Sequence, residues 1–562
     1  MTFASALPYI NGVKHLGNLA GSLLPADVYA RFLRLEGEDV LFICATDEHG
    51  TPAELSAADA GLSVKDYCDR MHHKQAEIYN QFGLSFDYFG RSSSPQNRAM
   101  TQHFYQKLNE NGFLIERTVQ QFYSIDDKRF LPDRYVIGTC PKCGYTAARG
   151  DQCEQCTSLL DPTELINPRS AVSGTTNLQV RGTKHLFLRL DALAEEIRVW
   201  VDNHQAVWPR LTSSISYKWL DEGLQERGIT RDLDWGIPVP RPGFDGKVFY
   251  VWFDAPIEYI SATVEWADED AATRDWKSWW LDTSDVTYSQ FLAKDNVPFH
   301  TVFWPGVVLG TRESWLMADQ IKSFSWLTYY GGKFSTSSKR GVFLDQALGL
   351  RPADEWRYFL LAQSPESDDS SFTWEAFASA VNKDLVGAFG NFVSRILKLS
   401  EKEFGDEIPT GGVTTDSEDD LMEECSRVVG SYRSHLQRTE YRKAIQSLRE
   451  LWSAGNAYID KTAPWSLMKQ DRDRAAVILR ISINLVRLFA AAAWPVIPFA
   501  SERVFDALGL SEDERRVELS QLVGLMDLQA GRKFAAPGHL FTRISDDNIA
   551  AWKQQFVGGG SI

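Results

Sequence analysis

The chain has 562 residues, 44% of them hydrophobic, with 18 Trp and 32 Phe. At roughly 150 residues per domain it holds about two to four globular domains with sizeable cores. A formal charge of −16 excludes a protein that coats nucleic acid through bulk positive charge, while a local basic face would still admit RNA. Seven cysteines, four of them in two C-x-x-C pairs, exclude a disulfide framework and indicate a reducing compartment, with Cys44, Cys68 and Cys425 as buried free thiols.

From residue 2 to about Gly112, strand-like and helix-like stretches alternate. A short β-favouring segment ends at Pro8, a loop with Asn11 and Gly12 follows, and His15-Leu16-Gly17-Asn18 opens an apolar-periodic helix. Strand, tight loop and helix N-terminus make an anion site, because unpaired N–H groups and the positive end of the helix dipole converge there. Gly17 leaves room for a nucleotide against the backbone, and His15 and Asn18 add side-chain donors. A helix cap with a surface histidine explains the same residues equally well. Val40 to Ala45 is a continuous apolar run, as in a buried parallel strand. It leads into Thr46-Asp47-Glu48-His49-Gly50, a polar cluster at the carboxyl end of a strand, where open α/β sheets hold their ligands. Ser94-Pro95 predicts a helix start and Gly112 its end.

Cys140, Cys143, Cys153 and Cys156 follow with the spacing C-x2-C-x9-C-x2-C. Two such pairs in one short segment favour a closed, structural Zn²⁺ site of four thiolates over a redox pair. The metal would hold together an insertion too small to build its own core. Strand character resumes at His185, with a helix to about Asn203. Lys247 to Tyr259 reads as a buried strand running into a helix whose first turn contains Pro256. Gln290 to Leu309 repeats that theme, with a strand ending at Lys294-Asp295-Asn296 and a helix after Pro298. The loop Gly331 to Gly341 is flexible, basic and hydroxyl-rich (Lys333, Ser335, Thr336, Lys339). It is either a clamp on phosphates that gain charge in a transition state or a solvated linker. From about Trp374 the pattern is helical. Asn391 and Arg395 lie one turn apart on one face. Six basic residues between Arg427 and Arg449 interrupt a mostly acidic chain, and Pro464-Trp465 puts a large aromatic at a helix boundary. The tail from Gly558 is predicted to be disordered. The longest apolar run, Leu488 to Ala500, is short and broken by Pro495 and Pro498, so no membrane span is predicted, and the N-terminus shows no secretory leader.

The order of these signals is not generic. Ala6-Leu7-Pro8-Tyr9 with His15-Leu16-Gly17-Asn18 comes first, then Asp47-Glu48-His49-Gly50-Thr51-Pro52 and the single four-Cys knuckle. Tyr250 to Ile257, Lys294-Asp295 with Phe299-His300, Lys333-Phe334-Ser335 and Ala463-Pro464-Trp465 follow. In this order they resemble the class I aminoacyl-tRNA synthetases, and specifically the methionyl-tRNA synthetase family, over essentially the whole chain. The resemblance implies an α/β fold, a Rossmann-like parallel sheet split by a zinc-knuckle insertion and followed by an α-helical bundle. The expected divisions are a first catalytic half at 1–115, the insertion at 116–225, a second half at 226–325, a stem-contact segment at 326–378 and an anticodon-binding domain at 379–562.

It also implies a two-step reaction, in which methionine attacks the α-phosphate of ATP, pyrophosphate leaves, and the methionyl group passes to the 3'-terminal adenosine of tRNA(Met). By this resemblance His15, Gly17 and Asn18 hold phosphate. Arg231, Lys333, Ser335, Thr336 and Lys339 add charge and donors for the pyrophosphate, and Asp295 contacts ribose. Asp47 binds the methionine ammonium, and Leu7, Tyr9, Trp252, Ala255, Pro256, Tyr259 and His300 form the side-chain pocket. Asn391, Arg395 and Trp465 meet the anticodon. One structural zinc per chain and ATP with magnesium as substrate are implied, in a cytoplasmic monomer without membrane contact. Two positions depart from the family's familiar pattern: Asn18 replaces a second histidine, and Thr336 stands where the mobile loop usually has its second lysine. Thr336 motivates an alternative, a degenerate paralogue that binds tRNA without aminoacylating. The leucine, isoleucine and valine enzymes, the other rivals, normally carry a much larger editing insertion.

Overall fold

Five strands form one wholly parallel sheet in the computed structural model of the chain, which describes residues 2–556 apart from 151, 152, 154, 157, 159, 282 and 335–339. From edge to edge they are Gln320–Phe324, Tyr288–Ala293, Thr2–Ser5, Leu41–Thr46 and Tyr88–Arg91. Ala4 stands in register with Gln290 on one side and Ile43 on the other. All six residues of Leu41–Thr46 are buried, because helices cover both faces of the sheet, which accounts for its unbroken apolar run. The chain winds outward from Thr2–Ser5 in one direction and later in the other. A crevice therefore opens beyond the carboxyl ends of Thr2–Ser5 and Tyr288–Ala293, where the strand order reverses.

The helix after the first strand runs as Leu16–Asn18, a π turn at Leu19–Leu23 closed by Leu24 N–H to the Leu19 carbonyl, and Leu24–Leu35. Pro95–Glu110 is the helix expected after Ser94, whose hydroxyl accepts from Asn97 N–H, and Gly112 ends the turn at φ +75°. Between the two halves of the sheet, Leu114–Ser124 and Leu178–Leu188 pair as a long antiparallel ribbon. The ribbon carries a three-stranded sheet of Val136–Thr139, Ala148–Arg149 and Ile166–Ser170. The stretch expected to be a strand from Lys247 is a two-residue strand, Val248–Phe249, paired antiparallel with Thr230–Arg231. The helix begins already at Val251 and runs to Asp268, so Pro256 lies in its second turn. Apolar residues at 248, 249, 251 and 253 satisfy both periods, and burial of the helix decides between them.

The last part is helical as expected, with Asn391–Phe404, Asp416–Gln437, Tyr441–Thr462, Arg472–Ala493 and Pro498–Ala507 as its main elements. Arg472–Ala493 is long and apolar enough to cross a membrane, but it is the buried centre of this bundle. One continuous hydrophobic core joins the bundle to Leu24–Leu35 and Ala353–Ala362, so the helical part is seated on the helix that starts at the crevice. The predicted disorder after Gly558 lies outside the described residues.

Candidate active site

The crevice contains a cavity of about 610 Å³ whose wall includes Leu7, Tyr9, His15, Gly17, Asn18 and Asp47. Trp252, Ala255, Pro256, Tyr259, Asp295, His300 and Lys333 complete the expected set that it brings together. Its apolar part is fixed by a chain of hydrogen bonds. Gln290 Nε2 donates to Tyr259 Oη (3.0 Å), Tyr259 donates to His300 Nε2 (2.9 Å), and His300 Nδ1 donates to the Asn296 carbonyl (3.0 Å). A carbonyl can only accept, so the His300 proton sits on Nδ1 and Nε2 is the acceptor. Burial pushes the His300 pKa down to about 4, which keeps the ring neutral. Trp252 meets Phe299 edge to face with centroids 4.5 Å apart. A neutral aromatic wall with a few dipoles suits a polarizable thioether and disfavours a charged side chain.

Asp47 N–H donates to the Pro8 carbonyl (3.0 Å) and the Asp47 carbonyl accepts from Ile10 N–H (2.9 Å), which ties the two strand ends together. Its Oδ1 is buried with no hydrogen-bond partner among the described residues. Burial foremost, and Asp254 next, raise its pKa well above the usual carboxylate range, against the pull of Lys14. A cationic ligand group supplies what this carboxylate lacks. Its neighbours turn the other way: Glu48 pairs with Arg91 (both bonds 2.9 Å) and His49 Nδ1 with Asp254 (2.5 Å), so both hold the loop internally.

At the other end, Leu16 N–H donates to the Val342 carbonyl (3.1 Å) and Leu344 N–H to the Lys14 carbonyl (2.9 Å). These bonds dock the chain after the basic loop onto the helix N-terminus. The His15 ring stacks on Phe334 at 4.9 Å. A Cβ on Gly17 would lie 3.1 Å from that ring, so glycine keeps the ring in place and the backbone open. Burial, then Lys14, push the His15 pKa down to about 3, and its Nδ1 is buried without a partner among the described residues. His15 is thus a neutral hydrogen-bonding group. Lys333 Nζ and Lys294 Nζ lie 4.4 and 4.2 Å from the Trp326 ring, placing two cations near the rim.

Arg231 is not in the cavity wall: its guanidinium lies 3.8 Å over Tyr250 and donates to the Thr230 carbonyl (2.9 Å). Ser335, Thr336 and Lys339 lie outside the described residues. Lys14, Arg134, Trp326 and Phe334 also line the cavity, and the sequence reading did not single them out for it. Lys14 and Phe334 adjoin flagged residues and were within reach of sequence reasoning. Arg134 comes from a turn of the insertion, Asp133–Tyr135, held where the Tyr135 hydroxyl donates to Glu54, and no local signal announces it.

The bundle holds a second cluster. The Arg395 guanidinium lies 4.3 Å over the Trp465 ring, which is 41% exposed, and Asn391 is exposed one turn before Arg395. Five of the six basic residues from Arg427 to Arg449, all but Arg442, are in ion pairs, so the run is not an open positive patch. Arg427 pairs with Glu424, Arg433 with Glu36, Arg438 and Lys443 with Glu440, and Arg449 with Asp384.

The four cysteines of the insertion converge, with all Sγ atoms within 4.8 Å of one another. Cys140 to Cys156 is 3.8 Å and Cys143 to Cys153 3.6 Å. A regular tetrahedron with Zn–S bonds of about 2.3 Å has sulfur separations of about 3.8 Å, so the donor set and its spacing fit zinc. Protein purified without chelator is expected to carry about one zinc per chain by metal analysis, and much less than one contradicts the site.

The sheet order, the helix N-terminus and the carboxylate at the switch point define a nucleotide-using enzyme of the doubly wound class. Residues 1–397 match the family of class I tRNA synthetases (M), and residues 408–561 the anticodon binding domain of methionyl tRNA ligase. A methionine–tRNA ligase of Acaryochloris marina is 58% identical over 554 residues, covering 99% of each chain. One from Streptomyces avermitilis is 56% identical, covering 99% of this chain and 98% of its own. The solved Mycobacterium tuberculosis methionyl-tRNA synthetase bound by methionyl-adenylate has the same fold, with a TM-score of 0.77 at 22% identity, over 96% of this chain and 99% of that one. The chain belongs to the methionyl-tRNA synthetase family of class I aminoacyl-tRNA synthetases.

Proposed function

We propose that the chain is a methionine–tRNA ligase. It uses ATP to form methionyl-adenylate and pyrophosphate, then transfers methionine to the 3'-terminal adenosine of tRNA(Met). The observation that carries this reading is a single cavity that joins a partnerless buried carboxylate and a neutral aromatic pocket to a helix N-terminus. Asp47 receives the ammonium, and Leu7, Tyr9, Trp252, Ala255, Pro256, Tyr259 and His300 receive the thioether. His15, Gly17 and Asn18 cradle phosphate, and Asp295 reaches ribose. Lys333 closes on the pyrophosphate together with its loop residues Ser335, Thr336 and Lys339, and Arg231 adds a positive charge. In the first step a carboxylate oxygen bonds to the α-phosphorus as the bond to pyrophosphate breaks, and magnesium accompanies ATP. In the second, a ribose hydroxyl displaces AMP from the carbonyl. No covalent enzyme intermediate is needed, so orientation and electrostatics carry the rate.

The units 1–115 and 226–325 would form the catalytic domain, 116–225 the insertion, 326–378 the stem contact and 379–562 the anticodon domain, in a cytoplasmic monomer. Cys140, Cys143, Cys153 and Cys156 would hold one zinc as four thiolates, supplying the cross-link that the small core of the insertion lacks. Asn391, Arg395 and Trp465 would meet the anticodon, with a base stacked on the exposed indole. Stacking of this kind is worth about 1–3 kcal/mol per base. Trp465→Ala is therefore expected to raise the KM for tRNA(Met) roughly 5- to 150-fold and to leave methionine-dependent ATP–pyrophosphate exchange unchanged. Equal loss of both activities, or unchanged charging, would remove this anticodon assignment.

A further inference from the structure

Adenylate formation brings two anions together, the amino-acid carboxylate and the α-phosphate, and the assignments above give the carboxylate no cationic partner. Lys14 is a cation in the wall of the same cavity. It is only 8% exposed, it lines the cavity, and its carbonyl is fixed by Leu344 N–H. Its ammonium makes one hydrogen bond among the described residues, to Asn11 Oδ1 at 2.9 Å, which leaves two of its three N–H donors for a ligand. It is close enough to act electrostatically on both Asp47, at the ammonium site, and His15, at the phosphate site. Burial pushes its pKa down to about 7, the direction expected of a cation kept from water until an anion arrives. At the helix N-terminus itself His15 is neutral and Asn18 uncharged, so among the residues assigned to phosphate only Lys333, across the cavity, carries charge within its wall.

We propose that Lys14 is a further catalytic residue, whose ammonium holds the carboxylate of the bound amino acid and bridges it to the α-phosphate. This rests on the methionine-activating reading above and names a residue for its first step. Lys14 acts in its ammonium form and transfers no proton: the carboxylate oxygen bonds to phosphorus, and the electron pair of the broken P–O bond leaves with pyrophosphate. A charge-assisted hydrogen bond of this type makes a roughly 10- to 150-fold difference in binding.

The test compares methionine with methioninol, which keeps the ammonium and thioether but lacks the carboxylate, on the full-length protein and its Lys14→Met and Lys14→Gln variants. Isothermal titration is expected to show methionine affinity falling roughly 10- to 150-fold in both variants, with methioninol affinity within about threefold of the parent. Methioninol binding also reports that the variants are folded. The kcat of methionine-dependent ATP–pyrophosphate exchange is expected to fall about 10²- to 10³-fold. Equal changes for the two ligands, or no change for either, overturn the role of Lys14 while the parent enzyme still activates methionine. A parent protein that neither binds methionine nor exchanges pyrophosphate overturns the underlying reading and this proposal with it.

Discussion

Asp47→Asn is expected to abolish most methionine use while leaving the fold intact. The substitution keeps the shape and one acceptor oxygen but turns the other into an NH2 donor and removes the charge that faces the amino-acid ammonium. Truncating one side of a buried charge pair costs about 2–5 kcal/mol, a factor of roughly 30 to 5,000 in kcat/KM for methionine. The pH dependence gives a second readout. Ammonium binding needs the carboxylate form, and burial holds the Asp47 pKa well above its ordinary value. A proton therefore competes with methionine on the acid side, and kcat/KM rises as pH rises through that elevated pKa. The variant has no such group, so its residual activity is expected to lose this acid limb. A variant with parental kcat/KM and the same limb would show that Asp47 does not hold the ammonium.

Arg357→Met is expected to be the most damaging single change to stability. Arg357 and Asp27 are fully buried and paired at 2.6 Å. The guanidinium also donates to the carbonyls of Val496 (2.9 Å), Pro495 (2.8 Å) and Phe82 (3.1 Å). It therefore ties the helix that starts at the crevice, the segment after the basic loop and a turn of the helical bundle into one joint. Methionine fills similar volume but leaves three buried carbonyls and part of the Asp27 charge uncompensated. Breaking one side of such a pair costs about 3–5 kcal/mol. Burial works against the Asp27 carboxylate, yet Arg31 and Arg357 hold its pKa below the ordinary value. A depressed carboxylate pKa means that the stabilisation is present above the unfolded pKa of about 3.9 and is lost as pH falls through the folded value. Urea unfolding at neutral pH checks the size, and the double variant with Asp27→Asn is expected to be less destabilised than the sum of the singles. Strict additivity would mean that the two side chains do not act as a pair.

The parts of the fold that one local signal specifies were legible. Leu41–Thr46 is buried on both faces, so its apolar run could only be a covered strand. The four cysteines have a spacing that four thiolates round one metal require, and they converge. Val248 to Phe253 misled because helix and strand periods coincide there, and only packing decides. The site was legible where residues adjoin a strand end, as Asp47 and His15 do. It was not where a side chain arrives from far away in sequence, as Arg134 and Trp326 do, because no local pattern encodes their approach. The basic run after Arg427 shows the same limit, since its sequence does not reveal that Arg427, Arg433, Arg438, Lys443 and Arg449 meet carboxylates in space.

Amino-acid-dependent ATP–pyrophosphate exchange, scanned over methionine, leucine, isoleucine, valine, cysteine and homocysteine with zinc-loaded protein, reads out directly whether the pocket activates methionine. A pocket of this kind separates near-isosteres by roughly 10- to 200-fold per methylene, so methionine should lead and homocysteine should follow at a measurable level. Exchange led by another amino acid, or none from folded protein, would contradict methionine activation.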